Sequence, residues 1–160
     1  MQPEDARVSG SALAAGYDGV LASGGFLKSK SRRRVLEWYR GLLAESDRPF
    51  LGVCLGMKIL GFCYGARMRK TAPEVGFREI AFQRDFPLAP GLTSLRAYEN
   101  HRFELLPPLP APLRKYANGA ASVEAVKVDG RSQFAVQFHP EVGGTSVVIL
   151  DRFLNLCGSG

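Results

Sequence analysis

Apolar and polar positions along the chain fall into two rhythms. Tyr17-Asp18-Gly19-Val20-Leu21-Ala22 is a short, mostly apolar stretch stopped by Ser23-Gly24-Gly25, which predicts a buried strand running into a tight loop. Between Ser31 and Glu45, Val35, Tyr39, Leu42 and Leu43 recur at helical spacing and define one apolar face. Pro49-Phe50-Leu51-Gly52-Val53 predicts a second buried strand. From Leu55 to Met68 the pattern turns helical, with Ile59, Leu60 and Cys63 on or near one stripe. Strand, helix, strand, helix predicts a parallel sheet covered on both faces. Upstream, residues 11–16 read as the end of a short helix closed by Gly16.

The second half changes character. Residues 76–83 alternate as a half-exposed strand would, and a proline-rich stretch follows that includes Leu106-Pro107-Pro108-Leu109-Pro110-Ala111-Pro112. So many prolines exclude regular helix and central strand there. Ser122–Val128 and Gln133–Phe138 predict two more strands separated by the turn Asp129-Gly130. Thr145 or Ser146 is placed to cap a last helix whose Val147, Leu150, Phe153 and Leu154 would pack inward. Neither an internal repeat nor a domain linker interrupts this pattern. Residues 1–160 therefore read as a single α/β layer sandwich.

Composition narrows the class more than the fold. At 160 residues the chain suits one domain. The acidic, polar opening Met1-Gln2-Pro3-Glu4-Asp5 is unlike a signal peptide, and no apolar run has the length of a membrane span. Three cysteines without metal-type spacing argue against a disulfide framework and a structural zinc site. The expectation is a cytoplasmic protein that does not engage membranes. A net charge of +6 suits anionic partners, but no nucleic-acid motif accompanies it, so nucleic acid is not the expected ligand. Basic residues gather at Lys28, Lys30, Arg32, Arg33 and Arg34, and again at Arg67, Arg69 and Lys70. Each group reads either as a docking patch for an anion or as a solvated face.

Two segments carry candidate chemistry. Gly52-Val53-Cys54-Leu55-Gly56 lies between an apolar strand and a helical segment. A nucleophile at such a junction sits on a sharp turn, with flanking glycines giving room and helix N–H groups aimed at the site. That helix end lowers a thiol pKa and stabilises an oxyanion. The bland alternative is a small buried cysteine in a tight turn. Near the other end stands Gln137-Phe138-His139-Pro140-Glu141, which holds one of only two histidines. If the backbone stays extended through Pro140, Glu141 projects to the same side as His139 and can orient its imidazole. Cys63 follows Cys54 by nine positions, roughly the opposite helix face, and with Cys157 reads as packing.

Together, Pro49–Met57, the Ser23-Gly24-Gly25 loop and Gln137–Glu141 resemble the class I glutamine amidotransferases, in the same order along the chain. Tyr98-Glu99-Asn100-His101-Arg102 with Ser122-Val123-Glu124-Ala125 is most similar to the glutaminase subunits of GMP synthetases. The resemblance implies a flavodoxin-like three-layer sandwich with a mainly parallel central sheet. It implies hydrolysis of the glutamine side-chain amide, with ammonia supplied to a synthetase partner and no cofactor. Cys54 would be the nucleophile, His139 the acid and base, and Glu141 its holder. The N–H of Leu55 and one from Gly24-Gly25 would form the oxyanion hole. Gly52, Gly56, Lys58, His101 and Arg102 would line the substrate.

The chain also departs from the family pattern. Lys58 stands where a glutamine is usual, Phe26 where proline is common after Gly-Gly, and residues 1–16 are too short and polar for the usual first strand and helix. A gap of that kind would expose a sheet edge, which a second copy of the chain could cover. Two other functions stay open on the sequence: a stand-alone hydrolase of another γ-glutamyl compound, and a non-catalytic partner of a synthetase.

Overall fold

Phe50-Leu51-Gly52-Val53 and Gln133-Phe134-Ala135-Val136 are buried at every position, as strands covered on both faces must be. They pair with each other at the centre of the site-bearing half of the molecule. The computed structural model describes residues 14–25, 32–119 and 122–158. In chain order these form β1 (Val20–Ala22), α1 (Arg32–Glu45), β2 (Phe50–Val53), α2 (Leu55–Cys63), β3 (Arg67–Phe82), β4 (Ser94–Leu106), β5 (Leu113–Asn118), β6 (Val123–Val128), β7 (Gln133–Val136) and α3 (Val148–Cys157). Two 3₁₀ turns, Pro140–Val142 and Gly144–Val147, lead into α3.

The strands form one sheet in the order β1-β2-β7-β6-β5-β3-β4. One core, with Leu51, Val53, Phe134, Val136, Phe138, Ile149 and Phe153, lies under α3. The other, with Leu42, Leu43, Phe50, Met57, Leu60, Val126 and Ala135, lies under α1 and α2. Helices on both faces of one sheet make the three-layer, flavodoxin-like α/β sandwich the sequence implied.

The sheet is mixed rather than mainly parallel. β1–β2 and β2–β7 are parallel, whereas β7–β6, β6–β5, β5–β3 and β3–β4 are antiparallel. Parallel neighbours need long crossovers, and the chain spends its helical crossovers on β1, β2 and the site; short connections build the rest. β4 and β5 were not expected as strands. On β4 the buried positions include Glu99, His101 and Glu104, so polarity does not alternate with burial and the period-2 signal is lost. β3 also starts earlier than the alternation at 76–83 suggests, and its register shift between Lys70 and Glu74 brackets Pro73, where a missing N–H is tolerated.

Three helix expectations are corrected. α2 ends at Cys63, not Met68, because Gly65 takes a φ of +85° and turns the chain into β3. α3 buries Ile149 and Phe153, while Val147 and Leu154 are exposed. The 3₁₀ turn before it, at three residues per turn, rotates the buried face away from the α-helical phase assumed for Val147. Neither Thr145 nor Ser146 caps α3: the Thr145 hydroxyl accepts the Arg96 N–H and the Ser146 hydroxyl donates to the Gly143 carbonyl. The expected short helix and the question of a missing first strand fall largely on residues 1–13, and Phe26, Lys28 and Lys30 on residues 26–31, all outside the described residues. Among the described residues β1 pairs with β2 alone, and Leu21 on it is about half exposed. None of the described helices is long and apolar enough to cross a membrane.

Candidate active site

The site begins with one strained residue. Between the end of β2 and the start of α2, Cys54 adopts φ 50° and ψ −94°, the only positive φ on a non-glycine among the described residues. Such a conformation persists only where its surroundings hold it. Here the Cys54 N–H is fixed on the Val136 carbonyl of β7 at 2.9 Å. Gly52 and Gly56 let the helix descend onto the strands. A Cβ on Gly52 would lie 2.6 Å from the Gly56 carbonyl carbon, and one on Gly56 only 2.2 Å from the Ala22 carbonyl oxygen. Their place is therefore beneath the turn, where backbone meets backbone. Leu55 opens α2, and its N–H is among the four at a helix start that have no partner within the helix.

His139 arrives from the other side of β7. Its N–H donates to the Tyr98 carbonyl at 2.8 Å, an isolated bridge that ties it to β4. The backbone does not then stay extended, as the sequence argument required, but coils through the 3₁₀ turn Pro140–Val142. That turn still brings Glu141 round, with its Oε1 2.7 Å from His139 Nδ1. The other ring nitrogen remains for the thiol. Interaction with the Cys54 sulfur, and then with Glu141, raises the His139 pKa to about 9 against the effect of burial. The Gly24-Gly25 loop lies across the pair: a Cβ on Gly24 would be 2.8 Å from His139 Cε1 and 3.7 Å from Cys54 Cβ. Gly25, at φ +149°, lies against the Leu55 side chain. Cys54, Leu55, His139, Glu141, Gly24 and Gly25 thus converge on one point.

Lys58 is part of the same constellation, but in an unexpected way. One helical turn after Cys54, its side chain is buried at 5% exposure, with Nζ 3.6 Å from Cys54 Sγ. Gln137 Nε2 and the Asn100 carbonyl each lie 3.9 Å from the same sulfur. Burial alone pushes the Cys54 thiol up, yet the His139 and Lys58 interactions outweigh it and hold the pKa below the usual thiol value. Burial lowers the Lys58 pKa, partly opposed by Cys54, Glu124 and Glu99.

Behind Lys58 sits a buried polar cluster. Glu99, His101 and Glu124 are all nearly inaccessible, and His101 Nε2 approaches Glu99 Oε2 to 3.2 Å without the alignment of a hydrogen bond. Burial raises both carboxyl pKa values, most for Glu124, where the Glu99 carboxylate adds to the rise. Each carboxyl therefore favours its protonated form more than an exposed carboxyl does. The Ser122 hydroxyl donates to Glu124, and burial lowers the His101 pKa. One donor atom from each of Glu99, His101 and Glu124 lies within 4.8 Å of the others, a set of the kind that accepts a divalent cation. Lys58 also interacts electrostatically with both carboxylates, which ties the cluster to the thiol.

His101 therefore points into this cluster, whereas the neighbouring Asn100 carbonyl meets the thiol. Arg102 is exposed on β4. Sequence reasoning gave no role to Glu99, Glu124 or Gln137. A visible signal existed for Glu124, a carboxylate in the otherwise apolar run Val123-Glu124-Ala125-Val126, and for Glu99 and His101, two apart on one strand face. Of the basic groups, Arg33 pairs with Glu37 in solvent and the Arg32 guanidinium lies 5.3 Å over the Phe62 ring. Arg69 pairs with buried Glu104.

Known proteins resemble this chain in sequence and in fold. The sequence model of the family described as glutamine amidotransferase class-I matches residues 2–154. The chain is 32% identical over 146 residues to a glutamine-hydrolysing GMP synthase subunit from Saccharolobus solfataricus, covering 88% of this chain and 77% of that one. It is 30% identical over 138 residues to the imidazole glycerol phosphate synthase subunit HisH of Halobacterium salinarum, covering 71% and 63%. In three dimensions it is similar to the crystal structure of a Thermoplasma acidophilum protein described as a GMP synthase subunit. The TM-score is 0.82 at 28% identity, over 93% of this chain and 77% of that one.

Proposed function

The chain belongs to the class I glutamine amidotransferases, and from that premise we propose that it hydrolyses the side-chain amide of glutamine and supplies the ammonia to a synthetase partner. The observation that carries the reading is the contact of His139 Nδ1 with Glu141 Oε1 at 2.7 Å, with the other face of the ring turned to a thiol on a strained elbow. Glu141 fixes the ring and favours its protonated form. The Cys54 thiolate attacks the amide carbon, and the resulting oxyanion is met by the Leu55 N–H and by the Gly24-Gly25 backbone. His139 gives its proton to the departing nitrogen, ammonia leaves, and a γ-glutamyl thioester remains on Cys54. The neutral imidazole then takes a proton from water, whose attack on the thioester releases glutamate and restores the thiol.

The similarity to GMP synthase subunits makes a nucleotide-aminating synthetase the proposed recipient of the ammonia. One observation favours a second reading. Lys58 is buried beside the thiol and offers donors but no acceptor, so the amide N–H groups of glutamine find no acceptor on it, which permits a γ-glutamyl compound other than free glutamine. Intact-mass analysis after treatment with an electrophilic glutamine analogue separates the readings. A single adduct on Cys54, absent from Cys54→Ala, supports glutamine as the substrate. No adduct, while a small thiol reagent still labels Cys54, would overturn that reading in favour of the γ-glutamyl hydrolase or a non-catalytic role.

A further inference from the structure

The feature that the proposed hydrolysis leaves unused is the amine beside the nucleophile. Lys58 Nζ stands 3.6 Å from Cys54 Sγ, on the same face of α2, and both side chains are more than nine-tenths buried. A thiol held below its ordinary pKa is readily oxidised to a sulfenic acid, which persists until a nucleophile condenses with it. A second thiol usually does so, but the other cysteines are engaged elsewhere. Cys63 Sγ faces the Leu36 carbonyl at 3.9 Å, and Cys157 Sγ packs over Gly19, where it would lie 2.2 Å from an added Cβ. Of the side-chain nitrogens beside Cys54 Sγ, the Gln137 amide at 3.9 Å is a poor nucleophile and the His139 ring is raised to a pKa of about 9, whereas burial of the Lys58 amine at 3.6 Å increases its neutral, nucleophilic fraction.

We propose that Cys54 and Lys58 form a reversible sulfur–nitrogen cross-link under peroxide, a modification that shields the nucleophile from over-oxidation. The Cys54 thiolate, with a proton, takes one oxygen from hydrogen peroxide to give the sulfenic acid and water. The neutral Lys58 amine then attacks that sulfur; the S–N bond forms, the S–O bond breaks, and hydroxide leaves with the amine proton as a second water. Sulfur is oxidised and peroxide is reduced. Two equivalents of an added thiol reverse it, returning Cys54 and Lys58 and leaving that thiol as its disulfide. None of these steps requires glutamine to be the substrate, so the proposal stands or falls separately from the function above.

The test uses the full chain carrying Cys63→Ser and Cys157→Ser, so that Cys54 is its only thiol and no intramolecular disulfide can form. After a brief exposure to hydrogen peroxide, intact mass is expected to show a species about 2 Da lighter than the starting protein. Dithiothreitol should reverse the change, and peptide mapping should join Cys54 to Lys58. The same variant with Lys58→Arg should instead gain about 16 or 32 Da, the sulfenic or sulfinic acid. A lighter species that persists with Lys58→Arg would assign the bond to another nitrogen and overturn the proposal. So would a double-serine protein that only gains oxygen. Should the double-serine protein not fold, mapping of oxidised wild-type protein for a Cys54–Lys58 peptide, as against Cys54–Cys63 or Cys54–Cys157, decides the same question.

Discussion

Gly56→Ala is the substitution whose effect follows most directly from geometry. The added Cβ would lie 2.2 Å from the Ala22 carbonyl oxygen and 3.0 Å from its carbonyl carbon, and neither neighbour is a flexible side chain that could swing away. Ordinary contact begins near 3.4 Å, so the start of α2 must lift from β1 by about 1 Å, as in any overpacked core. Overpacking of this kind costs about 1–3 kcal/mol, or a fall in Tm of roughly 2–4 °C per kcal/mol in a chain of this size. The consequence for the site is larger. The same turn carries Cys54 and Leu55, and a displacement of about 1 Å in reacting groups costs on the order of 10²-fold in rate.

Gly41→Ala is the matched control. Gly41 lies within α1 with nothing within 4 Å of an added Cβ, so alanine should raise stability by about 0.5–1 kcal/mol through helix propensity. Thermal unfolding of both variants, with the rate of Cys54 labelling by the electrophilic glutamine analogue, measures both effects. Wild-type Tm and wild-type labelling in Gly56→Ala would refute the claim that close backbone packing sets the nucleophile's position.

The corrected face of α3 gives a second test. Phe153→Ala, at 3% exposure, should cost about 3–5 kcal/mol, whereas Leu154→Ala, at 64%, should stay within about 0.5 kcal/mol; a large shift of the denaturant midpoint for Leu154→Ala as well would restore the face that periodicity alone suggests. A third concerns the buried carboxyls. Because the folded-state pKa of Glu124 is raised well above 4.5, its contribution is fully present below the unfolded value and is lost as pH rises through the folded one. Glu124→Gln should therefore flatten the decline in stability as pH rises above about 4.5, and a pH–stability curve parallel to wild type would contradict this sign.

Much of the site was legible without coordinates, because each local piece carries its own physical signature. An apolar strand ending in Gly-x-Cys-x-Gly before a helix describes an elbow whatever surrounds it, and Ser23-Gly24-Gly25 marks a loop for the same local reason. His139 and Glu141 could be paired from their spacing, although the 3₁₀ turn rather than an extended strand brings them together. The parallel β1-β2 unit and α1 were likewise written in local periodicity.

What only the tertiary structure decided concerns groups whose meaning depends on partners far away in sequence. Lys58 and His101 look like surface or substrate-facing residues until β4 and β6 place Glu99 and Glu124 behind them. Burial then turns four titratable side chains into one network in which the pKa of each is set by the others. The antiparallel half of the sheet was hidden for the same reason: β4 buries charges that find their complement across strands, so its polarity pattern contradicts its burial. Sequence determines a motif where chain neighbours supply the physics. The fold decides wherever the cost of burying a charge is met by a residue that only the sheet brings near.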